Sequence, residues 1–107
     1  MAQFDLHRNK GPLKDTIPYV VVVQSSLFDG YRRRVVVPLV KRSVLPAGIA
    51  GTRMNPCFLV LGLELVLHPL DMVSVALDQL GECVGSLAEN AQDIADALDE
   101  LLTRSWH

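Results

Sequence analysis

Histidine and serine are the side chains to examine first for chemistry, since imidazole can donate or accept a proton near neutral pH. His7, His68 and His107 fall in three separate stretches, and none has an acidic or basic partner at a recognisable spacing. Ser25 and Ser26 carry hydroxyls, but no neighbouring base would activate one as a nucleophile. We therefore predict no catalytic site, and we expect the serine pair to cap a turn.

The sequence also contains no recognisable motif for binding a metal or a cofactor. The sequence has no Cys-x-x-Cys or His-Glu-x-x-His spacing and no glycine-rich phosphate loop. Its two cysteines, Cys57 and Cys83, lie far apart, and Cys57 stands in an apolar run. We predict reduced thiols, while a structural disulfide remains an alternative. We expect no metal and no cofactor.

The only dense basic run is formed by Arg32, Arg33 and Arg34. Such a run can clamp phosphates or an acidic peptide, or it can be a solvated strand end that discourages pairing with other chains. The chain of 107 residues has a formal net charge of −2, which offers no general attraction for nucleic acid or an anionic membrane. We favour the solvated strand end.

Residues 19–40 are the stretch that must organise the fold. Two valine-rich runs, residues 20–23 and 35–37, read as strands because β-branched side chains pack well on a pleated surface. Neither run alternates with polar residues, so we expect both to be buried on both faces. Asp29-Gly30 between them is typical of a turn. The stretch predicts a central antiparallel hairpin, with an edge or a bulge where Pro38 interrupts it.

Shorter strands are predicted around this hairpin. Residues 2–8 alternate polar and apolar side chains, which is typical of a half-buried strand. Residues 57–67 suggest two strands that turn at Gly62-Leu63, with Glu64 at the bend, and one more strand is expected within residues 71–80. Residues 41–56 form the longest irregular segment. We expect Gly81 and Gly85 to mark a break between the strands and the following helix, and not to lie within a strand.

One helix closes the sequence. Ser86 and Glu89 fit a capping box, and no proline or glycine interrupts residues 87–103. The apolar stripe has helical spacing and consists of Leu87, Ala91, Ile94, Leu98 and Leu101. Glu89, Asp93, Asp96 and Glu100 lie off the stripe, so we expect them to face water. The pattern predicts one α+β domain over residues 1–107: a small, partly open antiparallel barrel with a C-terminal helix.

Three large side chains lie where they are candidates for contact with a partner. Trp106 is the only tryptophan and follows the predicted helix, so it either folds back onto the barrel or serves as an interface residue. Leu27 and Phe28 stand in the hairpin loop and are either buried anchors or an exposed patch. The sequence shows neither a secretory leader nor a stretch long enough to span a bilayer. We expect a cytoplasmic protein without membrane contact.

An ordered set of short motifs extends over almost the whole length of the chain. These motifs are Gln3-Phe4, Val23-Gln24-Ser25, Asp29, Arg33-Arg34, Val37-Pro38-Leu39, Gly62, Glu64, Asp71-Met72, Ser74-Val75, Gly81-Glu82, Val84 and Asp93-Ile94. Through this ordered set the chain resembles the CcdB family of toxins. The resemblance implies a small SH3-like antiparallel barrel with an additional small sheet and a C-terminal helix. It also implies a homodimeric, non-enzymatic toxin that binds the DNA gyrase A subunit and traps the enzyme on cleaved DNA. A CcdA-like antitoxin would neutralise the toxin, and the two together would repress their operon, with DNA contacted through the antitoxin.

The resemblance also implies gyrase-binding positions. The family's exposed apolar loop pair falls on Leu27 and Phe28, and its helix-end contacts fall on Asp99 and Leu102. Its terminal Trp-Gly-Ile tripeptide falls, without a gap, on Thr103, Arg104 and Ser105. Trp106 comes three residues after the expected tryptophan and is followed by His107. Either this extended tail supplies the stacking ring through Trp106, or the gyrase contact is lost.

Two other functions remain open. The same type of barrel carries toxins that cut messenger RNA, for which His7 and the run Arg32, Arg33 and Arg34 would be the only candidates. The altered tail favours the second alternative, an inactive module that only binds an antitoxin.

Overall fold

A computed structural model describes residues 2–103, which contain seven strands and one α-helix. The elements, in chain order, are β1 (Asp5–Asn9), β2 (Tyr19–Val22), β3 (Arg33–Lys41), β4 (Cys57–Val60), β5 (Leu63–Leu67), β6 (Val73–Ala76), β7 (Leu80–Ser86) and α1 (Ala91–Leu102). No helix in this part of the chain is both long and apolar enough to pass through a membrane.

All seven strands belong to one antiparallel sheet that curls into a half barrel. The order of neighbouring strands is β4-β5-β3-β2-β1-β7, and β6 pairs with β3 beside β5. β3 is the longest strand and carries three partners, because β6 pairs with its first half and β5 with its last three residues. This arrangement confirms the predicted α+β fold with a barrel-like sheet and a C-terminal helix.

The central hairpin is confirmed. Val21 of β2 pairs with Val37 of β3, and both side chains are completely buried. Pro38, however, marks neither an edge nor a bulge, since β3 continues through it in the middle of the sheet. Pro38 lies between the part of β3 that pairs with β6 and the part that pairs with β5. A proline is tolerated at this break in the ladder because its missing N–H is not required there.

The core lies between the sheet and the helix. Ile94 and Ala97 of α1 are completely buried and belong to the same apolar cluster as Leu6, Val37 and Leu65. The predicted stripe is confirmed as buried at Ile94, while Ala91, Leu98 and Leu101 are partly buried. Leu87 is buried but precedes the helix, and the buried Ala97 was not predicted. His7 of β1 is also buried, so the half-buried alternation predicted for the first strand is wrong at this residue.

The helix begins later than predicted. The chain remains in β7 as far as Ser86, passes through a short 3₁₀ turn and enters α1 at Ala91. The Ser86 hydroxyl accepts a hydrogen bond from the Ala88 amide at 3.0 Å. The predicted capping box with Glu89 is wrong, because Ser86 still pairs with Asp5 across the sheet and stands outside the helix.

β7 itself was not predicted. Gly81 and Gly85 lie inside this strand, and Gly81 approaches β1 so closely that a Cβ there would lie less than 3.0 Å from the Arg8 carbonyl oxygen.

The turn between β4 and β5 lies one residue earlier than predicted. It consists of Leu61 and Gly62, both with positive φ, which places Glu64 in β5 opposite Leu59 instead of at the bend.

Candidate functional site

Leu27 and Phe28 form an exposed apolar tip between β2 and β3. Both residues lie in the 3₁₀ turn Ser26–Phe28, with exposed fractions of 86% for Leu27 and 51% for Phe28. The Ser25 hydroxyl accepts a hydrogen bond from the Leu27 amide at 3.2 Å, which confirms the predicted turn-capping role of this serine. Tyr31 extends the tip, since its ring centroid lies 6.3 Å from that of Phe28. The predicted exposed patch is therefore the correct alternative.

A buried arginine holds this tip in place. Only 4% of Arg34 is exposed, and its guanidinium donates hydrogen bonds to the carbonyl oxygens of Tyr31 at 2.6 Å and Asp29 at 3.1 Å. Arg34 Nε also lies 3.6 Å from Asp29 Oδ1. Arg34 therefore binds both ends of the turn that follows Phe28, so the prediction of a fully solvated basic run is wrong for this residue.

The side chain of Gln24 closes the base of the same loop. Its amide nitrogen donates to the carbonyl oxygens of Phe28 at 3.3 Å and Arg33 at 3.2 Å. Its amide oxygen accepts from the Val35 amide at 3.1 Å. Because Gln24 and Arg34 satisfy backbone groups across the loop, the apolar tip is presented on an ordered support.

The other two arginines of the basic run, Arg32 and Arg33, line one shallow cavity together with residues 76–78. Arg33 turns toward β6, where it donates to the Ser74 hydroxyl at 2.8 Å and the Ser74 carbonyl at 2.7 Å. Arg32 is exposed, as predicted for a solvated strand end. Arg34 is thus buried in its own loop, whereas Arg32 and Arg33 are exposed.

The last turn of α1 carries the second group of candidate residues. Asp99, Leu102 and Thr103 are all exposed, and the Thr103 hydroxyl donates to the Asp99 carboxylate. The other four candidates, Arg104, Ser105, Trp106 and His107, lie outside the described residues. The structure therefore brings Leu27 and Phe28 together on one turn and Asp99, Leu102 and Thr103 together on another, on two different elements.

Asp99 is not simply solvated, because an arginine from the segment between β3 and β4 reaches the end of the helix. Arg53 Nη2 lies 3.6 Å from carboxylate oxygens of both Asp96 and Asp99, and Arg53 Nε lies 3.1 Å from Glu100 Oε2. This cation offsets the unfavourable interaction of acidic side chains with the C-terminal end of the helix dipole. The prediction that the acidic face only meets water is therefore wrong for Asp96 and Glu100.

Asp5, His7 and Cys83 form a side-chain cluster that sequence reasoning missed. One potential ligand atom from each residue lies within 4.8 Å of the others. Cys83 pairs with His7 because β7 lies beside β1, and β7 was not predicted. Cys83 and Cys57 are both free thiols, as expected.

The model of the family described as CcdB protein matches residues 3–103, which include every strand and the helix described above. A search of curated proteins finds no match to this chain.

Proposed function

Because the chain belongs to the CcdB family, we propose that it is a toxin that binds the A subunit of DNA gyrase and stalls the enzyme on cleaved DNA. Membership in this family supports a toxin of a toxin–antitoxin system. The finer assignment to gyrase rests on one observation: Leu27 and Phe28, which correspond to the family's apolar contact pair, form an exposed tip on an ordered loop.

The tip has the chemistry of a protein-binding surface. Leu27, Phe28 and Tyr31 present exposed apolar and aromatic area, and aromatic residues are enriched in protein interfaces. The loop is held by Arg34 and Gln24, so less conformational entropy is lost when a partner binds. Asp99, Leu102 and Thr103 at the end of α1 add a second contact surface. The proposed contact residues also include those that follow in the sequence, Arg104, Ser105, Trp106 and His107.

The mechanism we propose is a shift of conformational equilibrium without catalysis. A homodimer would present two copies of each surface to the two-fold symmetric gyrase. A toxin that binds one conformation of gyrase more tightly than the others raises the population of that conformation and stops the cycle. A CcdA-like antitoxin would release gyrase by binding the toxin dimer, and the two together would repress their operon, with the antitoxin contacting DNA.

An RNA-cutting toxin receives less support from the side chains. His7 is buried, and the Arg34 guanidinium is occupied by carbonyl groups of its own loop. The candidates for this alternative were His7 and the run Arg32, Arg33 and Arg34, in which His7 was the only acid or base. The burial of His7 counts against the alternative, because a nuclease of this kind needs an accessible acid or base in a basic groove.

Gyrase supercoiling and DNA-cleavage assays test the proposal. Leu27→Asp and Phe28→Asp should each reduce inhibition at least about tenfold, because a carboxylate would be desolvated in an apolar contact. Leu59→Asp is the matched control, since Leu59 is also an exposed leucine, 76% accessible, but lies on β4. We expect this control to inhibit as the parent protein does.

Three other results would contradict the proposal. Full inhibition by Leu27→Asp and Phe28→Asp would remove the tip from the binding site. A parent protein that leaves gyrase unaffected but binds an antitoxin would be the inactive module, and specific cleavage of RNA would identify a nuclease. Trp106→Ala in the same assays measures the contribution of the extended tail.

A further inference from the structure

We propose that Asp5, His7 and Cys83 bind a zinc ion at the junction of β1 and β7. This site is independent of the gyrase-binding function proposed above, since none of the three residues belongs to the apolar tip or to the last turn of the helix. Potential ligand atoms of the three residues already lie within 4.8 Å of one another.

The pairing of β1 with β7 creates the cluster. Side chains two apart in a strand lie on the same face of the sheet, so Asp5 and His7 share a face. His7 stands opposite Cys83, while Leu6 stands opposite Gly85, which means that the register shifts between Leu6 and His7. Such irregularities redirect side chains and occur often beside functional sites.

The hydrogen bonding of His7 leaves Nε2 as the ring nitrogen that is available to a metal. Nδ1 lies 2.9 Å from the Gly81 carbonyl oxygen, which can only accept, so Nδ1 carries the hydrogen. In the neutral ring this leaves the lone pair on Nε2. Among the described residues Nε2 is buried without a hydrogen-bond partner, and only 5% of His7 is exposed. A metal-binding histidine characteristically donates its other N–H to a carbonyl or carboxylate in this way.

The Asp5 carboxylate is also oriented by a hydrogen bond. Its Oδ2 accepts a hydrogen bond from the Ala2 amide at 3.0 Å, and that bond fixes the orientation of the carboxylate. The carboxylate has a second oxygen that can serve as a ligand. Cys83 is exposed, which gives a metal ion a path from solvent to the cluster.

The donor set selects zinc over the hard cations. A thiolate, an imidazole and a carboxylate are typical zinc ligands, whereas magnesium and calcium prefer oxygen alone. Zinc–ligand bonds of about 2.0–2.3 Å place tetrahedral ligand atoms roughly 3.3–3.8 Å apart. Because the ligand atoms lie within 4.8 Å of one another, each pair would have to approach by at most about 1.5 Å, and the exposed Cys83 side chain is free of close packing that would oppose this. Its thiol now makes only a weak contact with the Gly85 carbonyl, at 3.6 Å.

Zinc at this position would link β1 directly to β7. β7 is an edge strand that joins the sheet to α1 through a short turn, so the ion would fix the strand that precedes the helix. We expect zinc to slow amide hydrogen exchange in β7, with no corresponding change in β4 at the other edge.

Calorimetric titration of the untagged, reduced, full-length chain with zinc chloride tests the site. We expect one zinc per chain, at least about tenfold weaker binding for Cys83→Ser and for Asp5→Asn, and unchanged binding for Cys57→Ser. Cys57→Ser is the matched control, because it removes the other free thiol of the chain. His68→Gln serves as the corresponding histidine control.

Cobalt provides a spectroscopic reading of the same site. Cobalt-loaded parent protein and Cys57→Ser should show thiolate-to-metal charge-transfer absorption in the near ultraviolet, and Cys83→Ser should not. The proposal is overturned if the parent binds no zinc, if Cys83→Ser binds it as tightly as the parent, or if Cys57→Ser loses the absorption. Substitution of exposed Cys83 and partly exposed Asp5 avoids the risk of misfolding that a change at buried His7 would carry.

Discussion

The guanidinium of Arg53 lies against the carboxylate of Glu100, with 3.1 Å between Nε and Oε2. Arg53 belongs to the long irregular segment between β3 and β4, and Glu100 lies in the last turns of α1. The same guanidinium reaches Asp96 and Asp99, each at 3.6 Å. Ion pairs thus hold this irregular segment against the helix. One of the acidic residues in these ion pairs, Asp99, belongs to the proposed gyrase-binding surface.

Replacement of Arg53 by glutamine should lower the free energy of unfolding by about 0.5–1 kcal/mol at low salt. The side chains are partly exposed, so each contact is weak, but three carboxylates lose one shared cation. Added salt should reduce the difference, since it screens these charges in the parent protein. Urea titrations at two ionic strengths measure both effects.

The control for this prediction is Arg42→Gln. Arg42 forms a single, well-exposed pair with Glu64 at 3.3 Å, so its loss should change the unfolding free energy by less than about 0.5 kcal/mol. Equal effects of the two substitutions, or an Arg53 effect that does not depend on salt, would contradict the network.

Gly81→Ala should destabilise the protein by about 1–3 kcal/mol. A Cβ at residue 81 meets backbone atoms of Arg8, and neither strand can yield without weakening the β1–β7 pairing. Thermal or urea unfolding gives the magnitude, and hydrogen exchange should become faster in β7.

Gly85→Ala provides a control within the same strand. Its Cβ would lie 3.8 Å from the Leu6 Cδ1 atom, an ordinary van der Waals contact. We expect a change within about 0.5 kcal/mol, because the substitution meets no steric conflict. If Gly85→Ala were as destabilising as Gly81→Ala, the close approach to Arg8 would not be the cause.

Arg34→Met should cost about 3–5 kcal/mol. The substitution removes the cation that Asp29 faces and leaves the carbonyl oxygens of Asp29 and Tyr31 without the guanidinium donors. The loop that carries Leu27 and Phe28 should become mobile, so inhibition of gyrase should fall as well. Arg32→Met, at an exposed neighbour, should change stability by less than about 0.5 kcal/mol. A stable Arg34→Met variant would show that the buried guanidinium does not hold the loop.

Local patterns in the sequence were sufficient to predict an element where the composition of that segment determines its structure. The valine runs predicted β2 and the centre of β3, and the stripe through Ile94 predicted the buried face of α1. The β-branched composition identifies the two strands, and the spacing of apolar residues identifies the helix, although not the residue at which it begins.

Features that depend on a distant partner were missed. β7 contains Gly81, Gly85 and exposed polar residues, so its strand structure comes from pairing with β1 and not from local propensity. The late start of the helix follows from the same pairing, because Ser86 is held in the sheet. The contact of Arg53 with Glu100 and the meeting of His7 with Cys83 likewise join residues that no local pattern connects.

Ile94 and Leu102 lie on the same helix, but Ile94 is buried and Leu102 is exposed. Ile94 is completely buried in the core, so Ile94→Ala should lower the unfolding free energy by about 2–5 kcal/mol through lost burial and a residual cavity. Leu102 is 62% exposed, so Leu102→Ala should cost less than about 1 kcal/mol in the same urea titration. If Leu102 contributes to gyrase binding, its variant should remain folded yet inhibit supercoiling less, and this separation of stability from inhibition distinguishes a contact residue from a core residue. A Leu102→Ala protein that matches the parent in both measurements would exclude this residue from the proposed surface.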